Sequence, residues 1–292
     1  MALFKIGIVA DTQYGDKDDG HTEGRVQRFR EVPNKLQDAV NHWQSENVAL
    51  VLTLGDTIEG RATLEETLVD LKVLTDIYQE LAHTPVAHIV GNHDLSIPRS
   101  TYLQLLGHQC SYYTKPISPG WKLLVLDTTD LCPLSGFPED SPAMIETRQF
   151  EASHSVESFP NMTRWNGGLA AQQRGWLQTT LEEAESSGDR LVVAAHHPIG
   201  LGSARPSHLA WNWLEVQAIL VSSPAVAIVF AGHDHIGGYS QVGHVHFVTL
   251  EAMLEAPSGS NAYAIATVHE HMIELQGFGT ATSRQLPLTS PP

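Results

Sequence analysis

Short apolar, β-rich runs recur along this chain, and the early ones are each followed by a polar stretch of helical period. Residues 4–10 form the first run. A helix is predicted over 34–45, where Leu36, Val40 and Trp43 share one face. Residues 48–54 read as a second strand. The next helix covers 63–81, with Leu64, Leu68, Leu71, Leu74, Ile77, Tyr78 and Leu81 at helical spacing. Residues 85–90 make a third strand. This βαβα order predicts a parallel or mixed sheet covered by helices. Strands at 122–127, 190–195 and 225–231 then alternate with helices at 170–187 and 214–221. From Gly237 the pattern changes to short alternating segments at 239–242, 244–250, 262–268 and 272–275, which predict an antiparallel ladder.

The length of 292 residues suits one large domain or two small ones. We read a single domain over 1–279. Residues 131–168, rich in Pro, Ser, Gly and acidic residues, predict a long loop, which we place over the site as a specificity loop or lid. The Ser-, Thr- and Pro-rich tail, 280–292, is expected to be disordered. Acidic residues outnumber basic ones 33 to 17, a formal charge of −16. A body this acidic repels nucleic acid and anionic membrane, so neither is an expected partner. An anionic substrate would then need strong local positive charge, and with lysine and arginine scarce a bound metal is the natural source. Two cysteines exclude a disulfide scaffold and a four-cysteine zinc site; two free thiols are the plainer reading than one disulfide. The 16 histidines direct attention to ligand spacing. The N-terminus leads straight into a strand without a leader pattern, and the most apolar stretch, 218–231, is interrupted by Ser222, Ser223 and Pro224. The expectation is a cytoplasmic protein. Oligomeric state has no signal in the sequence.

Chemistry gathers at strand ends. The first strand ends in Asp11-Thr12-Gln13, the second in Gly55-Asp56 and the third in Gly91-Asn92-His93-Asp94. The strand from Arg190 ends in His196-His197-Pro198, and that from Ala225 in Gly232-His233-Asp234-His235. Open α/β sheets place their ligand sites at the carboxyl ends of strands, so all five clusters would converge on one rim. Singly, each is also a plain turn: Asp11 a turn cap, Gly55-Asp56 a tight turn. One member of His196-His197 should be structural, because neighbours in a strand face opposite ways. His233 and His235, two apart, present both imidazoles on one side, as a metal needs.

The ordered set D-x-Q, G-D, G-N-H-D, H-H-P, G-H-D-H resembles the calcineurin-like metallophosphoesterase superfamily. The resemblance implies a four-layer α/β/β/α sandwich of two mixed sheets flanked by helices. It implies two divalent metal ions: Asp11, Gln13 and His235 on one, Asn92, His196 and His233 on the other, and Asp56 bridging. His93 would be catalytic rather than a ligand, with Asp94 as its orienting partner. Most members carry D-x-H where this chain has Gln13. That departure, together with residues 8–14, 165–168, 209–213, 231–239 and 250–257, is similar to the manganese-dependent ADP-ribose/CDP-alcohol diphosphatases. The implied reaction cleaves the diphosphate of ADP-ribose or CDP-alcohols to a nucleoside monophosphate and a phosphorylated sugar or alcohol. Paired metals suit in-line attack by activated water, with His93 near the leaving oxygen. An amide in place of an imidazole hardens the site and tilts it from zinc toward manganese or magnesium, with iron also in range.

A nucleoside diphosphate ester needs a pocket for base or ribose. Tyr14, Trp165, Asn166, Trp211 and Asn212 are candidates, since their loops lead to or from metal motifs and aromatic faces stack on bases. Packing in the core is the alternative for the tryptophans. Arg25, Arg28 and Arg30 either contact phosphate or form a solvated helix face, the second being the plainer reading. Two other functions fit the same donors: a cyclic-nucleotide or glycerophosphodiester phosphodiesterase, and a catalytically silent scaffold. The full set of ligand candidates and His93 argue against the scaffold.

Overall fold

Alternation along the first strand sorts its side chains: Phe4, Ile6 and Ile8 enter one core and Val9 another. The computed structural model describes residues 2–289. In chain order its elements are β1 (Ala2–Val9), a short hairpin of β2 (Gly20–Thr22) and β3 (Arg25–Gln27), α1 (Val32–Ser45), β4 (Leu50–Thr53), α2 (Leu64–Gln79), β5 (Val86–His88) and α3 (Arg99–Leu105). Then come β6 (Tyr113–Ser118), β7 (Trp121–Val125), α4 (Pro142–Ser153), α5 (Ala171–Ser187), β8 (Arg190–Ala194), α6 (Trp213–Ser222) and β9 (Val226–Ala231). The chain closes with β10 (Ile236–Val242), β11 (Val245–Glu251), β12 (Ala262–His269), β13 (Met272–Gly279) and β14 (Arg284–Pro287).

Two six-stranded mixed sheets result, ordered β14-β13-β12-β1-β4-β5 and β10-β11-β9-β8-β7-β6. Their inner faces meet in the central core, where Ile6, Ile8, Leu52 and Ile89 face Leu123, Val192, Ile228 and Phe230. α1 and α2 cover the outside of the first sheet through Leu36, Val40, Trp43, Leu74 and Tyr78. α5 and α6 cover the second through Leu177, Leu181, Val216 and Leu220. Each such large apolar side chain, fully buried, contributes about 1.5–3 kcal/mol. The architecture is the expected four-layer sandwich. One close approach sets the spacing of the first two layers: a Cβ on Gly7 would stand 2.8 Å from the Trp43 ring.

Local signals explain the helix ends. Pro33 starts α1, Thr63 and Glu66 form a reciprocal capping box on α2, and Gly188 ends α5 in the left-handed region. Among the described residues no helix is long and apolar enough to cross a membrane. Cys110 and Cys132 are both free.

Three expectations change. The antiparallel ladder is split: β10 and β11 pair with each other in the second sheet, where β11 runs parallel to β9, while β12 to β14 complete the first. The tail is ordered where it is described. β14 pairs with β13, and Leu286 and Leu288 enter the central core, two apolar anchors among Ser, Thr and Pro; residues 290–292 lie outside the described residues. The 131–168 stretch is closed at its base by pairing of Leu131 with Gly168, and it holds α4, begun by a Ser141 cap. Phe150 from α4 stacks on Trp211, and neither lines the cavity at the strand ends.

Candidate active site

Five strand ends deliver the polar clusters to one place. β1 runs into Asp11 and Gln13, β4 into Asp56, β5 into Asn92 and His93, β8 into His196, and β9 into His233 and His235. The first three strands belong to one sheet and the last two to the other, so the site straddles the seam. Gln13, Asp56, Asn92, His93, His233 and His235 line a cavity of about 360 Å³. Asp11, Asp56 and His196 are buried and hold donor atoms within 4.8 Å of one another.

The chain turns sharply to do this. Asp11, Gln13, Asp56 and His233 have φ of 49°, 39°, 51° and 67°. Residues other than glycine in this left-handed region cost of order 1–3 kcal/mol each, a strain typical of functional sites. The motif glycines have a steric reason. A Cβ on Gly91 would lie 2.1 Å from Asp56 Oδ1, and one on Gly232 would lie 2.7 Å from Asp11 Oδ2.

Each candidate imidazole spends one nitrogen on a protein acceptor and keeps the other. His196 Nδ1 donates to the Leu54 carbonyl (2.8 Å), leaving Nε2 beside Asn92 Oδ1 (3.1 Å) and Asp56 Oδ2 (3.4 Å). His235 Nδ1 meets Glu255 Oε1 at 2.7 Å, and its Nε2 lies 3.6 Å from Asp11 Oδ1. His233 Nε2 donates to Asn166 Oδ1 at 2.6 Å, which frees Nδ1. This is how proteins orient metal-binding histidines. The backbone N–H of His233 donates to Asp11 and that of His93 to Asp56, tying one motif to the next.

The electrostatics are those of a compressed charge cluster. Burial lifts the Asp11 carboxyl to about 6, with His235 and His196 opposing. Burial also presses on Asp56, but His196 and His93 hold it below the usual carboxylate range. Burial works against the His93 imidazolium, yet Asp56 and Glu59 raise it to about 10.

The residues present fit a pair of divalent cations. Gln13 Oε1 is buried without any hydrogen-bond partner, while its amide nitrogen donates to Asp56 Oδ2 at 3.0 Å. An orphaned carbonyl oxygen costs free energy unless something positive meets it. The donor set of two carboxylates, two amides and three imidazoles is mixed oxygen and nitrogen without sulfur, suited to manganese-like ions.

Not every candidate reaches the cavity. Trp165 does, and the residue is 49% exposed. Tyr14 instead bridges to Ile58 and packs against the α1 core. Trp211 is buried, stacked on Phe150, its Nε1 donating to Thr163 O. Asn212 ties the Leu169 backbone. Asn166 is fully buried behind His233 and holds that ring rather than facing ligand. Of residues 131–168 only Trp165 lines the cavity. Asp94 does not bond His93; its carboxylate accepts the N–H groups of Gly91 and Thr57 and braces two site loops. His93 is oriented by Glu59, with Nδ1 3.1 Å from its carbonyl and 3.2 Å from Oε2. His197 is the structural member of its pair, between Thr128 Oγ1 and Trp165 O.

Sequence reading missed Glu59, Glu255, Glu23, Gln27, Arg205, Ser207 and His208. Glu59 and Glu255 hold site histidines, and the others line the cavity. They come from loops, from the short 3-10 turns Pro206–His208 and Met253–Glu255, and from the β2–β3 hairpin. Arg25 is on a strand at the cavity wall, not on a helix face.

A model of the family described as calcineurin-like phosphoesterase matches residues 4–237. An Arabidopsis thaliana protein called manganese-dependent ADP-ribose/CDP-alcohol diphosphatase is 32% identical, covering 94% of both chains. A rice protein of the same name is 33% identical over 94% of this chain and 91% of its own. The crystal structure of a dimetal phosphatase from Danio rerio superposes with a TM-score of 0.91 at 26% identity, covering 99% of this chain and 100% of that one.

Proposed function

The chain belongs to the calcineurin-like phosphoesterase family and is a metal-dependent hydrolase; from that premise we propose that it cleaves the diphosphate of ADP-ribose or CDP-alcohols, releasing a nucleoside monophosphate. The observation that carries this is the convergence of oxygen and nitrogen donors on one cavity that also holds two arginines: Gln13, Asp56, Asn92, His233 and His235 line it, with Asp11 and His196 buried against Asp56. Full-length likeness to proteins named for that activity supports the choice of substrate.

Asp11, Gln13 and His235 would hold one ion, Asn92, His196 and His233 the other, and Asp56 both. Manganese is the favoured metal, in keeping with the relatives' names. When bound, two divalent cations activate water and neutralise phosphoryl oxygens for in-line displacement. Four positive charges against two carboxylates leave about two, which matches a diphosphate inside a body of net charge −16.

The chain's own residues do the rest. His93, half-exposed in the cavity and oriented by Glu59, gives its proton to the leaving oxygen. Asn166, Glu255 and the Leu54 carbonyl hold the three imidazoles in register. The exposed face of Trp165 offers a stacking surface for the base.

The test is hydrolysis with added manganese of ADP-ribose, CDP-choline, a cyclic nucleotide and a bis-aryl phosphodiester, with His93→Ala beside the wild type. Dominant turnover of ADP-ribose or CDP-choline, lost in the variant, supports the proposal. Turnover of only the cyclic or aryl diester keeps the metal centre and overturns the substrate. No turnover with any metal would favour the silent-scaffold reading.

A further inference from the structure

Two arginines stand in the cavity wall, and neither belongs to a metal motif. Arg205 follows β8 and is fixed from behind by Asp234, fully buried between His233 and His235. Asp234 accepts the Arg205 backbone N–H at 2.7 Å and Nε at 2.9 Å. Arg25, from β3, is fixed by Glu255, whose side chain is 6% exposed and whose other oxygen holds His235. Each arginine then turns a remaining nitrogen to one atom, Oε2 of Glu23; the Arg25 contact is 3.0 Å. Glu23 also lines the cavity. It sits on the tip of the β2–β3 hairpin with φ of 48°, its side chain 52% exposed.

The two guanidiniums are held by buried acids through contacts that do not involve Glu23. The carboxylate they share is exposed and sits on a strained turn. Arg25 and Arg205 are the permanently charged cations lining this cavity among the described residues. We propose that they clamp the second, non-reacting phosphoryl group of a diphosphate, and that Glu23 is a built-in stand-in for that group, displaced when substrate enters. This rests on the diphosphatase reading. Exposed carboxylate–guanidinium pairs contribute little, whereas arginine–phosphate contacts are bidentate and charge-assisted, so the exchange favours phosphate. A single-phosphate diester has nothing to offer the clamp. The pair therefore selects diphosphates over diesters at a site whose metal donors see only one phosphorus.

A rim role for Glu23, merely holding the arginines in place, predicts the opposite sign from a stand-in. Calorimetric titration of the manganese-loaded protein with ADP and with AMP separates them without relying on turnover. Glu23→Gln should tighten ADP about threefold to fivefold and leave AMP nearly unchanged. Arg25→Lys and Arg205→Lys, which keep a cation beside Glu255 and Asp234, should each weaken ADP about tenfold, again sparing AMP. In hydrolysis the same changes should move KM for a nucleoside diphosphate ester more than KM for a bis-aryl phosphodiester. Unchanged or weaker ADP binding in Glu23→Gln overturns the proposal, as do ADP and AMP shifting together. If the wild type hydrolyses diesters alone, the diphosphatase reading falls, while the ADP-to-AMP comparison still decides the clamp.

Discussion

Replacing Glu255 by glutamine should weaken one of two manganese-binding steps and spare the other. Glu255 lies almost wholly out of solvent, and its Oε1 receives His235 Nδ1–H at 2.7 Å. That bond fixes which nitrogen of His235 carries the proton and adds electron density to the ring that would hold the ion. A hydrogen bond to a charged partner is worth about 1.5–3 kcal/mol, and a neutral acceptor about half as much. Glutamine keeps an oxygen in nearly the same place, so the loss is about 1–1.5 kcal/mol, or roughly tenfold in affinity. Alanine removes the acceptor altogether and should cost closer to a hundredfold, the upper end for partners behind a metal ligand. Calorimetric titration with Mn²⁺ reads both steps directly. Only the step that uses Asp11, Gln13 and His235 should move. Two unchanged steps, or two that weaken equally, would refute the reasoning that Glu255 acts through His235.

Four further outcomes follow from the same geometry. Asn166→Leu removes the acceptor behind His233 and should weaken the other manganese step about tenfold, again read by titration. Gly91→Ala drives a methyl to within 2.1 Å of Asp56 Oδ1, so hydrolysis should be abolished and stability in denaturant reduced by about 1–3 kcal/mol. Gly7→Ala meets Trp43 at 2.8 Å, and neither residue lines the cavity; it should lose a similar amount of stability and keep its specific activity once folded. His88, buried beside Tyr78, is held down to about 3 by burial, with His108 assisting. Its folded value lies below the unfolded 6.5, so the stability it contributes is complete above pH 6.5 and lost as pH falls toward 3. Between pH 7 and 5 this loss is about 2 kcal/mol, and urea unfolding of His88→Gln should show a shallower decline over that window.

The seven proposed donors could be gathered from the sequence because each follows an apolar strand, and strand ends in layered α/β folds share a rim. Helices α1, α2, α5 and α6 were legible for the same reason, their apolar faces repeating at helical period. The hairpin strands Gly20–Thr22 and Arg25–Gln27 escaped, being only three residues each and without an apolar pair to announce them. β14 escaped because Leu286 and Leu288 are scattered among residues that usually signal disorder. Glu59, Glu255 and Asn166 act through another side chain, and such a role leaves no spacing signature; an acid in a loop looks like any other. Trp211 and Asn212 show the reverse error. They adjoin the right motifs, but neighbours along a loop can face opposite directions, and these two face the core.

The strand order of the first sheet has a consequence for how the chain is made. β1 lies between β4 and β12, whereas the whole second sheet, β6 to β11, is spelled out between β5 and β12. During synthesis the N-terminal strand therefore emerges early and waits, one edge unpaired, until Ala262–His269 has left the ribosome. Every proposed metal donor has been made by then, yet the sheet bearing four of them is still open on one side. An open edge is a template for pairing with other chains. Newly made protein should accordingly be most prone to aggregation, and most dependent on chaperones, in the interval before its last strands arrive.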